Sequence, residues 1–98
     1  MSNKLKIQII CRTVEEYFNL PEGSIQIKTR KREIVERRQI AMYFSKKLTM
    51  SSLSFIGSQI GKKDHATVLH ACKTVNNLKE TDKAFKLCVE EIEKKLKL

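Results

Sequence analysis

The stretch from Ile56 to Cys72, IGSQIGKKDHATVLHAC, constrains this chain more than any other. Leu53, Ile56 and Ile60 recur at i, i+3 and i+7 and so share one face of a short helix, with Ser51 or Ser52 placed to cap its start. Gly61 follows the last periodic residue, where a glycine closes a helix in the left-handed conformation. Lys62 and Lys63 form a basic turn. The Asp64 carboxylate is then placed to accept hydrogen bonds from the unpartnered amides of a new helix. That second helix would bury Val68, Ala71, Cys72, Val75 and Leu78 and turn His65, Thr67, His70, Lys73 and Thr74 outward. A stop, a short turn and a capped restart between two apolar stripes is the pattern of a helix-turn-helix.

The first turn of the second helix, Asp64 to Thr67, is polar, compact and preceded by two lysines. Those side chains suit contact with base edges beside a phosphate wall. For an isolated histidine, simple exposure at a helix start is the plainer account of His65; in this setting the residue is assigned to DNA. His70 receives no role.

The charge balance agrees. Twenty Lys and Arg against eleven Asp and Glu give a formal charge of +9, which draws nucleic acid but also acidic proteins and membrane surfaces. No apolar run approaches the roughly 20 residues a spanning helix needs, so membrane insertion is not expected. Leu5 to Cys11 is broken by Lys6 and Gln8, with no small-residue cleavage pattern after it, and does not read as a signal peptide. Three cysteines, an odd number at wide spacing, fit a reducing compartment, and Cys11, Cys72 and Cys88 each fall on an apolar face as core residues. A cytoplasmic protein is expected.

Ninety-eight residues with 41% hydrophobic content suit one small domain, here residues 1–98. The periodicity predicts a helix from Leu5 to Leu20, ended by Pro21 and Gly23. Ile25, Gln26 and Ile27 read as briefly extended. The basic run Lys28 to Arg32 follows, and on its own such a run is a solvated surface. With Arg37 and Arg38 close behind, it becomes a candidate for phosphate contact, and flexible arginines of this kind suit a narrow minor groove. A second helix spans about Glu33 to Leu48, its inner side Ile34, Arg38 by its stem, Ala41, Phe44 and Leu48, with Ile40 and Tyr43 near the edges. Thr81 and Asp82 open a last helix in which Phe85, Cys88, Val89, Ile92 and Leu96 form the cleanest apolar stripe, a structural brace. The fold class is therefore all-α: about five helices containing a helix-turn-helix, with a basic loop on its N-terminal side. No heptad pattern is sustained, and a monomer is the default.

Other chemistry fits poorly. Gly57 to Lys63, GSQIGKK, resembles a phosphate loop, but three residues rather than four separate its glycines, Lys63 stands where a Ser or Thr would hold magnesium, and the preceding segment is helical. His65 and His70 with three scattered cysteines make no zinc signature. Asp64, His65 and Thr67 are adjacent, yet adjacency places no nucleophile, base and orienting acid in a relay. No enzyme activity, metal or cofactor is expected.

Two segments carry a family resemblance. Gly61-Lys62-Lys63-Asp64-His65-Ala66-Thr67-Val68-Leu69-His70-Ala71-Cys72 resembles GGRDHTTVLHA, the signature of the C-terminal DNA-binding domain of the bacterial replication initiator DnaA; Arg37-Arg38-Gln39-Ile40-Ala41-Met42 resembles the (R)PRQ(I/M)AM segment of that family. The likeness extends from Ile7 to Leu96. It implies binding of double-stranded DNA at DnaA-box-like sites, in the nucleoid, in origin recognition or its regulation. It also implies base contacts by Asp64, His65, Ala66 and Thr67 in the major groove and by Arg30 in the minor groove, with Arg30 found by counting back from Gln39. Phosphate contacts fall to Lys28, Arg38, Gln39, Lys62 and Lys63. This chain departs from the pattern at Lys63 (usually arginine), Ala66 (usually threonine), and Glu36 and Arg37 (usually a basic residue and proline). It holds no nucleotide-binding segment, so ATP-driven origin opening is not carried over; a piece of an initiator and a free-standing protein both fit. Two other functions stand beside origin binding: a protein-interaction module docking on a replication-initiator protein or an acidic partner, and a small transcriptional regulator.

Overall fold

The computed structural model describes residues 2–97. Five α-helices follow in order, α1 (Asn3–Tyr17), α2 (Arg32–Thr49), α3 (Leu53–Gln59), α4 (His65–Thr81) and α5 (Lys83–Lys97), with a 3-10 turn at Ser24–Gln26 between the first two and no strand among the described residues.

Local chemistry sets most of the helix ends. Ser2 Oγ accepts from the Leu5 amide at 3.2 Å, which starts α1 two residues before the expected Leu5. Its end also comes before the expected Leu20. Asn19 takes the left-handed conformation, φ 58°, its amide bonds to Glu16 O at 3.2 Å, and the Leu20 amide reaches back to Glu15 O at 2.8 Å. That is a Schellman closure with asparagine in the place glycine usually holds. Asp82 serves two helices: its amide donates to Leu78 O at 2.9 Å, ending α4, and its carboxylate accepts from the Phe85 amide at 3.1 Å, starting α5.

Helix α2 is central, packed by α4 and α1 and in part by α3 and the 3-10 turn. Ile40, Ala41, Met42, Tyr43, Phe44 and Ser45 are therefore all buried in succession. The expected single stripe was too narrow. Ile40, assigned to an edge, is fully buried, whereas Ile34 and Leu48, assigned to the inner side, are only half-buried. Each fully buried Ile or Phe side chain contributes roughly 1.5–3 kcal/mol over its exposed state, so this arc is the main apolar anchor of the fold. Helix α5 braces it through buried Val89 and Ile92, the Lys47–Glu93 ion pair at 2.9 Å and the Tyr17 hydroxyl donating to Glu91 at 2.6 Å. Cys11 is buried, and Cys72 and Cys88 are half-buried. Burial, with Glu15 nearby, pushes the Cys11 thiol up to about 12, so it stays protonated and behaves as a small apolar residue.

Candidate nucleic-acid interface

The turn joining α3 to α4 is built by close backbone approach. Ser52 Oγ caps α3 by accepting from the Phe55 amide at 3.1 Å, and the helix closes at buried Ile60. Gly61 and Lys62 are then both left-handed, at φ 75° and 53°. For a lysine this costs about 1–2 kcal/mol; it is held there because the next amide, of Lys63, donates to Gly57 O at 2.8 Å. A Cβ at Gly57 would collide with the Lys63 carbonyl, so only glycine lets the turn fold back onto α3. Asp64 accepts from the Thr67 amide at 2.9 Å and starts α4 as expected. That bond, with the Thr67 hydroxyl, holds the Asp64 carboxyl below its usual range.

Behind this start, Val68, Ala71 and Val75 are buried and seat α4 on the core, while the expected Cys72 and Leu78 are half-buried. Asp64, His65, Ala66 and Thr67 are all exposed. The positive end of the α4 dipole thus meets Lys62 and Lys63 at an open surface that favours anions. His70 is also exposed, its Nε2 3.4 Å from Thr74 Oγ1 on the next turn.

The basic loop is held by other means. Gly23, left-handed at φ 83°, leads into the 3-10 turn, where the sequence pattern had placed an extended segment. Only Ile27 is extended there. Ile25 is fully buried and acts as the plug that fixes the turn; its amide donates to the buried Glu15 carboxylate at 3.3 Å. From the other side Arg38 Nε donates to Ile25 O at 2.8 Å and its terminal nitrogen to Ile27 O at 2.6 Å. Beyond Ile27, Lys28, Arg30, Lys31 and Arg32 are exposed, and no ion pair among the described residues includes Arg30.

Arg38 is thereby moved from the phosphate-contact set to a positioning one. It is 4% exposed, burial lowers its pKa from the ordinary value, and two of its N–H groups are spent on loop carbonyls. Arg37 is turned inward too, its guanidinium 3.9 Å from the centroid of the Phe18 ring. The Arg37–Arg38 pair therefore adds little to the exposed basic surface that its sequence position indicated, since Arg38 is buried and half-buried Arg37 also pairs with Glu36 at 3.5 Å. Gln39 is half-buried on α2.

Loop and turn meet in an open groove lined by Gln26 and Lys28 from one side and by Ser58, Gln59, Gly61, Lys62 and Lys63 from the other. The Gly61 amide donates to Gln26 Oε1 at 2.6 Å across it. The structure so brings Lys28 together with Lys62 and Lys63, next to the exposed start of α4; Arg30 lies two residues further along the loop, and Gln39 is not among the lining residues. Gly57 and Gln26, which shape this arrangement, carried no assignment from the sequence. Gly57 had a signal, a glycine inside a helical pattern, which commonly marks close packing. Gln26 had none, because its partner is far away in the chain.

Two helices joined by a tight basic turn, the second presenting an exposed polar start beside a basic loop, define a helix-turn-helix protein of the nucleic-acid-binding kind. Residues 7–75 match the family described as bacterial DnaA protein helix-turn-helix. The chain belongs to that family. It is 54% identical over its whole length to the chromosomal replication initiator protein DnaA of Flavobacterium psychrophilum, of which it covers 20%. It is also 54% identical over 93% of its length to the protein of that name from Bacteroides thetaiotaomicron, covering 19%, and 50% identical over 93% of its length to that of Bacteroides fragilis, covering 18%. It therefore spans about a fifth of these relatives, and the family membership does not favour a protein-interaction module or a small regulator in place of a DnaA-type helix-turn-helix. No helix among the described residues is long and apolar enough to cross a membrane.

Proposed function

We propose that this protein binds duplex DNA at DnaA-box-like sites and serves replication origin recognition or its regulation. The observation that carries the proposal is the shared groove, in which a lysine of the basic loop meets the two lysines of the helix-turn-helix turn beside an uncovered helix start. In this reading α4 enters the major groove. His65, Ala66 and Thr67 lie against base edges, Ala66 against a thymine methyl, while Asp64 caps the helix with one carboxylate oxygen and offers its remaining acceptor capacity to an exocyclic amine. Arg30, exposed and outside every ion pair among the described residues, enters the adjacent minor groove. Lys28, Lys62, Lys63 and Gln39 contact phosphates. Lys63 does so as a point charge, without the two-pronged fork of an arginine. Binding needs no metal or cofactor, a single copy suffices, and the protein works at the nucleoid in the cytoplasm, where a replication-initiator protein is its expected partner.

Titration against a duplex carrying a DnaA box and against a scrambled duplex, at one salt concentration, tests this. Tighter binding to the box by about a thousandfold or more is expected of a specific reader; equal affinity for both would remove the specific function and leave only charge-driven association.

A further inference from the structure

The loop and the turn are far apart in sequence, yet one side chain joins them. Gln26 sits in the 3-10 turn that launches the basic loop. Its Oε1 accepts from the Gly61 amide at 2.6 Å, and its Nε2 donates to Cys11 Sγ at 3.8 Å. The Gly61 amide follows the end of α3 in a left-handed residue. The Gln26 carbonyl end supplies its acceptor, which also fixes the amide's orientation. Below it, the Arg38 side chain runs close to Gly61, its Nε 3.2 Å from where a Cβ would stand, and binds the carbonyls of Ile25 and Ile27 on either side of Gln26.

We propose that Gln26 is a positioning residue that sets the register of the basic loop against the helix-turn-helix turn, so that minor-groove and major-groove contacts reach one duplex as a coupled pair. This rests on the DNA-binding function proposed above. A loop attached only at its ends would lose its freedom when it bound; a loop already bonded to the turn has lost part of it on folding, and the saving appears as affinity for the site that engages both elements. A side chain that carries both a donor and an acceptor at this reach is what the bracket requires. Asparagine is one methylene shorter, and methionine has the length without the acceptor for the Gly61 amide.

A double-mutant cycle on the full chain tests the coupling, with box and scrambled duplexes as probes. Gln26→Met is expected to weaken box binding several-fold while leaving scrambled-duplex binding within about twofold, and Arg30→Ala should cost at least about threefold less in the Gln26→Met background than in the wild type. Gln26→Glu keeps an acceptor for the Gly61 amide and should keep that coupling, even if its charge weakens all binding alike. Independent, multiplicative effects of the two substitutions, with the wild type still preferring the box, overturn the proposal and leave the DNA-binding function standing. A wild type that does not prefer the box removes both. Amide exchange on the unmodified protein gives a readout that needs no variant: the Gly61 amide should be protected, and free exchange there would show that the bracket is not formed.

Discussion

The two basic segments of this protein are shaped by opposite means. In the turn between α3 and α4 the determinants lie close together in the chain: Gly57 leaves room, Gly61 reverses direction, and Asp64 caps the next helix. In the loop after the 3-10 turn the determinants come from elsewhere: Glu15 of α1 holds the Ile25 amide, Arg38 of α2 holds the carbonyls of Ile25 and Ile27, and Gln26 ties the whole to Gly61. A segment of the first kind takes most of its shape from its own neighbours in the chain. A segment of the second kind has a shape only while the core exists. A surface that reads DNA with both is as exact as the weaker of the two attachments.

The locally built turn is most vulnerable at Gly57. Gly57→Ala sets a Cβ against the Lys63 carbonyl, and with no flexible side chain to give way it should cost about 3 kcal/mol, lowering the melting temperature by more than about 10 °C. A shift of only a few degrees would show that the turn yields and is not rigidly encoded. Next in size is Arg38→Met, which strips the donors from two loop carbonyls and should cost about 2–3 kcal/mol. Amide exchange should accelerate over residues 25–31 while Lys63 to Thr67 keep their protection; equal acceleration in both would mean that they form one unit.

His65→Ala separates reading from folding: a loss of about 1–3 kcal/mol on a box duplex, little on a scrambled one, and an unchanged melting temperature. Lys62→Ala should weaken binding to every sequence and reduce the slope of log affinity against log salt by about one unit, since one released counterion accompanies one phosphate contact. An unchanged slope would take Lys62 off the phosphate.

The smallest effect concerns pH. Asp64 is depressed by its bonds to the Thr67 amide and hydroxyl, so its contribution is present above the unfolded carboxylate value of about 3.9 and is lost as pH falls through its lower folded value. Being exposed, it should leave global stability nearly unchanged. A carboxyl titration followed by NMR should place Asp64 below that reference, with the Thr67 amide shifting in step; a midpoint at or above the reference would mean that the cap is not formed.

Much of this was legible in the residues because much of it is local. Helix caps, glycine stops and apolar stripes act over four or five positions, so α5, the Asp64 cap and the reversal at Gly61 could be read off directly. The start of α4 and its exposed side chains belong to the same class. Two segments depart from the sequence pattern because neighbours in the chain do not share an environment. Arg37 and Arg38 look like a continuation of the basic run, but one stacks on Phe18, and the other, expected to turn only its stem inward, is buried with its guanidinium on the carbonyls of Ile25 and Ile27. Ile25 to Ile27 looked extended, but burial of Ile25 coils its segment into a 3-10 turn.

By itself, then, the sequence determined that the chain is helical, where it turns, and which short stretch stands ready at the start of a helix, because short-range hydrogen bonding and periodic burial decide those things. Only the tertiary structure decided which of the basic residues stay at the surface and how the loop is aligned with the turn. Those depend on donors and acceptors brought together from α1, α2 and the α3–α4 turn, and a buried arginine becomes favourable only once folding has placed carbonyls around it.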